Sequence, residues 1–98
     1  MMHIGVCCLE LYMPSAANLK NRRQIVGSIS DRVRHRFNVA ISEEPNNDLW
    51  QKVRLVFCCV NGDKAYLTSM LSKIVQFIES SRLDANITDE SMEIISGF

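Results

Sequence analysis

Residues 2–13 (MHIGVCCLELYM) and 50–60 (WQKVRLVFCCV) constrain the fold most. Successive side chains of an extended chain point to opposite faces. The first segment then shows Ile4, Val6, Cys8, Glu10 and Tyr12 on one side, and Gly5, Cys7, Leu9, Leu11 and Met13 on the other. The second is apolar on both sides over its latter half. Strands that tolerate little water on either face belong in the middle of a sheet. The rest of the chain must therefore flank this pair or cover it.

Two flanking strands are legible. Residues 37–43 alternate Phe37, Val39, Ile41 against Asn38, Ala40, Ser42, the pattern of a half-buried edge. Residues 86–95 (NITDESMEII) are more polar and suit the opposite edge, where acidic side chains discourage edge-to-edge pairing. The polar connection Glu43-Glu44-Pro45-Asn46-Asn47-Asp48 is too long for a tight hairpin and reads as a mobile loop.

Two helices complete the set. Asn18–Phe37 (NLKNRRQIVGSISDRVRHRF) places Leu19, Ile25, Val26, Ile29, Val33 and Phe37 on one arc at about 100° per residue, the stripe of a helix lying on a sheet. Asn18 is its N-cap. After the turn signal Asn61-Gly62, Asp63 caps a second helix from Lys64 to about Ser81. Its stripe is Leu67, Met70, Leu71, Ile74, Val75 and Ile78.

The order βαββαβ predicts an α+β fold of the ferredoxin-like split βαβ type. It is a four-stranded antiparallel sheet, strand order 4-1-3-2, with both helices on one face. The 98 residues make a single domain, 1–98. The opposite sheet face, with Ile4, Val6, Cys8 and Tyr12 beside Val56 and Cys58, is left uncovered. Exposed apolar patches of that kind mark interfaces, and a homodimer through the open sheet face is expected.

The net charge is zero, yet residues 1–54 carry +3 and residues 55–98 carry −3. Six Lys and Arg fall within Asn18–Phe37, with Asp31 as the single opposing charge. Arg32 and Arg36 lie on one flank of the helix, and Lys20, Arg23 and Arg34 on the other. The first turn is unusual. Helix N-termini favour Asp or Glu by about 0.3–1 kcal/mol, and here Lys20, Arg22 and Arg23 stand instead. Cations beside free backbone N–H groups suit an anion.

The cysteines form two adjacent pairs, Cys7-Cys8 and Cys58-Cys59, without C-x-x-C spacing, so zinc and thioredoxin-type readings fail. Strand geometry puts one thiol of each pair on each face, as reduced packing residues. His3 and His35 form no triad or metal set and read as edge or solvent-facing residues. The Tyr12–Ala17 segment lacks the Gly-rich cradle and Arg that acylphosphatase chemistry on this topology requires. No catalytic residue, cofactor, metal or small-molecule substrate is expected. The chain has no run of about 18 apolar residues and no basic leader ahead of MMHIGVCCLEL, which predicts a soluble, cytoplasmic protein without a membrane role.

The pieces Leu19-Lys20-Asn21-Arg22-Arg23, Arg36-Phe37-Asn38-Val39 and Asp48-Leu49-Trp50-Gln51 resemble the YlxP-like family, bacterial proteins of unknown function. The likeness spans nearly the whole chain. Asn18 stands where the family usually has Ser, another N-cap, and Cys8 where a polar or basic residue is usual. The resemblance implies a compact ferredoxin-like domain of the bacterial cytoplasm. It also implies a connection to RNA or the ribosome, because genes of the family often neighbour those for translation initiation and ribosome maturation. It assigns no catalytic residue.

Two functions are therefore carried forward. The first is a non-catalytic module binding RNA or a ribosomal particle through Lys20, Arg22 and Arg23, extended by Arg34 and Arg36. Arg22 lies within the apolar arc, so a structural pairing with a carboxylate such as Glu10 competes with this role. Base-specific reading is not expected, since Lys52–Cys59 lacks the Gly and paired aromatics of an RNA-recognition-motif strand. The second is a protein-interaction module with Ile4, Val6, Tyr12 and Trp50 at its interface. Trp50 beside the 43–49 loop would anchor a partner, or else it is a core residue.

Overall fold

The computed structural model describes residues 1–45, 48–81 and 84–98. Its elements are β1 (His3–Tyr12), α1 (Leu19–Arg36), β2 (Ala40–Pro45), β3 (Lys52–Asn61), α2 (Lys64–Ser80) and β4 (Asn86–Ser96). All pairings are antiparallel and the order across the sheet is β2-β3-β1-β4, the ferredoxin-like βαββαβ arrangement.

The two strands apolar on both faces are the central ones. Leu9 sits opposite Leu55 and Cys7 opposite Phe57. These odd-numbered positions are buried beneath the helices, while Ile4, Val6, Cys8, Val56 and Cys58 on the other face are half-buried. Both helices contribute to the same core, through Val26, Ile29 and Val33 of α1 and Leu67, Leu71 and Ile74 of α2. Burying one such side chain contributes roughly 1.5–3 kcal/mol. The helices meet at one end, where the Phe37 and Phe77 rings lie edge to face, centroids 5.8 Å apart.

At Gly5 the second helix comes down closely onto the sheet. A Cβ there would lie 3.0 Å from Leu71 Cδ1 and 3.4 Å from Leu67 Cβ. Glycine is what permits that approach.

Several local features depart from the sequence reading. The chain from Phe37 to Val39 is a connection, and β2 begins at Ala40 and runs on through Glu43 and Glu44 to Pro45. Pairing with β3 explains the shift, because Glu44 and Pro45 gain ladder partners in Arg54 and Val53. Of the predicted loop, Asn46 and Asn47 lie outside the described residues. His3 is not an edge or solvent-facing residue. It is buried on the helix side of β1, with Nδ1 2.7 Å from Ser96 Oγ of β4. The strand β4 also shifts register between Glu10 and Leu11, where Thr88 Oγ1 donates to the Glu10 carbonyl.

Candidate functional site

The start of α1 is built by ordinary capping. Asn18 is extended, with φ −159° and ψ 178°, and its Oδ1 accepts from the Asn21 N–H at 2.9 Å. No acidic residue occupies the first turn. The three cations that do occupy it have different fates. Lys20 and Arg23 are exposed. Arg22 is 7% exposed, because helical spacing places it on the buried arc with Val26 and Ile29.

Arg22 does not reach Glu10, which lies on the opposite sheet face across from Arg54. Its guanidinium carbon instead stands 5.4 Å from the centroid of the Trp50 ring, a cation–π contact. Trp50 is no core residue: it is 44% exposed, beside Leu49, which is 45% exposed. The turn that carries it is held by backbone bonds, from Met13 N–H to the Gln51 carbonyl and from Lys52 N–H to the Leu49 carbonyl. On the α1 side of β3, Arg22 also borders a crevice of about 90 Å³, lined with it by Leu19, Arg23, Val26, Glu43 and Val53.

The predicted set of five cations divides. Arg34 follows Arg23 by eleven positions, about 17 Å along the helix axis. Its guanidinium lies 3.7 Å from Asp31 and donates to the Ile41 carbonyl of β2. Arg36 lies over the Phe77 ring of α2 at 5.1 Å. Arg34, His35 and Arg36 together favour the negative end of the helix dipole. Arg22 thus meets Trp50, Arg23 lines the crevice beside Arg22, Lys20 is exposed on the same first turns, and Arg34 and Arg36 serve the far end of α1 on opposite flanks. The predicted interface set divides too. Ile4, Val6 and Tyr12 share the open face, whereas Trp50 stands against α1. The Arg22–Trp50 contact joins residues 28 positions apart, and nothing local in the sequence signals it.

The open face is ordered in rows by the strand register. Val60, Ile4 and Ile95 form the first row, then Ala40, Cys58, Val6 and Glu93, then Ser42, Val56, Cys8 and Ser91. The fourth row is charged: Glu44, Arg54, Glu10 and Asp89. Arg54 donates to Glu44 Oε2 at 3.2 Å and to Cys8 Sγ at 3.4 Å, and the Cys8 and Glu44 neighbours raise its pKa further above the ordinary guanidinium value. Lys52 and Tyr12 follow in a fifth row.

All four cysteines are free, Cys7 and Cys59 in the core and Cys8 and Cys58 on the open face, as the strand alternation predicts. Burial, with smaller contributions from Glu90 and Cys8, pushes the Cys7 thiol up to about 11, and burial likewise raises Cys59. Among the described residues no three His, Cys, Asp or Glu are grouped to hold a metal ion. No helix among them is long and apolar enough to cross a membrane.

Fold and surfaces together define a small ferredoxin-like α+β protein with two unassigned faces, the α1 start with Trp50 and the open sheet. The chain belongs to the family described as "Protein of unknown function (DUF503)", whose profile matches residues 4–92. It is 31% identical over 77 residues to "Uncharacterized protein YlxP" of Bacillus subtilis (strain 168), an alignment covering 79% of this chain and 84% of that protein. Among solved structures it is similar to a de novo designed protein, Foldit4, with a TM-score of 0.58 at 12% identity, covering 98% of this chain and 99% of that one. It is also similar to protein SO0527 from Shewanella oneidensis, with a TM-score of 0.52 at 10% identity, covering 94% and 93%. At such identities the structural likeness concerns the fold alone.

Proposed function

We propose that this protein is a non-catalytic RNA-binding module of the cytoplasm, taking up a single-stranded stretch, free or exposed on a ribosomal particle, at the start of α1. The observation that carries the reading is the half-exposed Trp50 ring beside the Arg22 guanidinium, with exposed Lys20 and Arg23 on the same first turns. Unpaired bases stack on aromatic rings and arginine planes, while neighbouring cations meet the phosphates. Each stacked base contributes about 1–3 kcal/mol, without regard to sequence. Arg22 positions the ring; Lys20 and Arg23 are the outward charges. Glu43, at the crevice beside Arg22 and Arg23, bounds the cationic patch on the β2 side.

Trp50 is the sole tryptophan, so its fluorescence reports directly on the site. Titration with a single-stranded oligouridine at low salt should quench the emission, with an affinity that falls as salt rises. The double variant Lys20→Glu, Arg23→Glu should abolish the quenching and leave the circular dichroism unchanged. Absence of binding by oligoribonucleotides of mixed sequence at low salt would overturn the proposal. So would equal quenching by heparin, which carries charge and no bases.

A further inference from the structure

We infer that the open sheet face binds a second copy of this chain, the two sheets stacked face to face and turned end for end. This rests on the other side of the sheet from Trp50 and stands independently of RNA binding.

The distribution of charge selects the occupant. Rows one to three carry Ile4, Val6, Val56, Cys58, Val60 and Ile95, and every cation of the face lies beyond them. The charges Glu10, Glu44, Asp89, Lys52 and Arg54 all stand in rows four and five, at one end. A twofold axis running across the strands near Val6 and Cys58 lays rows one to three of each copy over rows three to one of the other. Both charged ends then project past the partner and stay in water. An axis along the strands would instead stack the two charged rows, with Arg54 over the partner subunit's Glu10 but Glu44 over the partner subunit's Asp89, and would take all of these charges out of water. Glu93 is the one charge within the apolar rows; the axis across the strands brings it near the partner subunit's Glu93, on the outer strand β4, where both carboxylates can turn to water.

Size agrees with charge. Three strands of 10 or 11 residues and the 6-residue β2, about 4.8 Å apart, make a face of at most roughly 19 by 33 Å. Overlap of rows one to three covers roughly 20 by 19 Å on each copy, the scale of a small, weakly associating interface. Val60 at 59% exposure and Ile95 at 40% are large apolar side chains left in water by a lone copy. Pairing through the β4 edge is disfavoured, because Asp89, Glu90 and Glu93 line it.

The dimer places two native probes at its centre, Cys58 in row two and Cys8 in row three, while Cys7 and Cys59 are shut in the core. Light scattering across micromolar concentrations should give twice the 11.2 kDa chain mass. Val60→Lys with Ile95→Lys should raise the dissociation constant by on the order of 100-fold or more, since ammonium groups would replace apolar side chains inside the overlap. Both positions are exposed, so the monomer should keep its circular dichroism and melting temperature. A short bismaleimide should join copies through Cys8 or Cys58, and Cys8→Ser with Cys58→Ser should prevent it. A monomer at 100-micromolar concentration overturns the inference. A dimer indifferent to the lysine pair and not crosslinked through these thiols overturns it as well, since the copies would then meet elsewhere.

Discussion

The Arg22 guanidinium carbon lies 5.4 Å from the centre of the Trp50 ring, joining the first turns of α1 to the turn that enters β3. A cation over indole contributes about 0.5–1 kcal/mol when exposed and about 2 or more when desolvated. Arg22 is buried and Trp50 half-exposed, so the pair falls between those limits.

A double-mutant cycle of Arg22→Ala and Trp50→Ala, read by denaturant unfolding, should give a coupling of about 1 kcal/mol. Each single variant should destabilise by more than that, because Arg22 also loses its packing and Trp50 its apolar contacts. Strictly additive single effects would show that the contact contributes nothing. Arg22→Lys should recover only part of the loss, since an ammonium lacks the planar face that stacks on a ring.

Two glycines should respond to alanine with opposite signs. At Gly5 the new Cβ meets Leu71 at 3.0 Å and Leu67 at 3.4 Å, so Gly5→Ala should cost about 1–3 kcal/mol through overpacking of α2 against β1. At Gly27, inside α1, nothing lies within 4 Å beyond the helix's own backbone. Gly27→Ala should stabilise by about 0.5–1 kcal/mol, because the unfolded chain loses freedom and the helix gains propensity. Thermal melts of the two variants check both signs.

The thiols should separate by face. At submicromolar concentration, a thiol-reactive disulfide reagent should modify Cys8 and Cys58 in the native protein, and Cys7 and Cys59 only after unfolding. The same burial makes stability depend on alkaline pH. Cys7 is held protonated in the fold up to about 11, against an ordinary 9.0. Between those values the unfolded chain has already released the proton and the native one has not. Stability is therefore fully present below pH 9 and declines as pH rises toward 11. Replacing Cys7 by Ala should flatten that decline in melts taken from pH 8 to 11, and an unchanged slope would exclude Cys7 as its source.

Much of the fold was legible because its signals are local. Apolar side chains on both faces of residues 2–13 and 50–60 demanded central strands, and β1 and β3 are central. Asn18 and Asp63 announced helix starts, and each caps its helix, Asp63 by accepting from the Ala65 and Tyr66 N–H groups. The separation of thiols between core and open face followed from the twofold alternation of a strand. These properties depend on residues within a few positions of one another, so they are written along the chain.

The remainder belongs to packing between distant segments. His3 looked like a terminal polar residue, yet the register of β4 brings Ser96 to its ring and buries it. Arg22 and Trp50 were each ambiguous alone, one between phosphate contact and ion pair, the other between anchor and core. The structure takes Trp50 out of the core and rests Arg22 on its ring, a meeting that depends on where the β3 entry turn docks on α1. Likewise five cations on one helix read as a single patch, until about 17 Å of helix axis separated Arg34 from Arg23. Periodicity fixes which side of an element is buried. The partner waiting on that side is chosen by long-range geometry, through register, crossover and docking angle, and no stretch of this chain encodes those by itself.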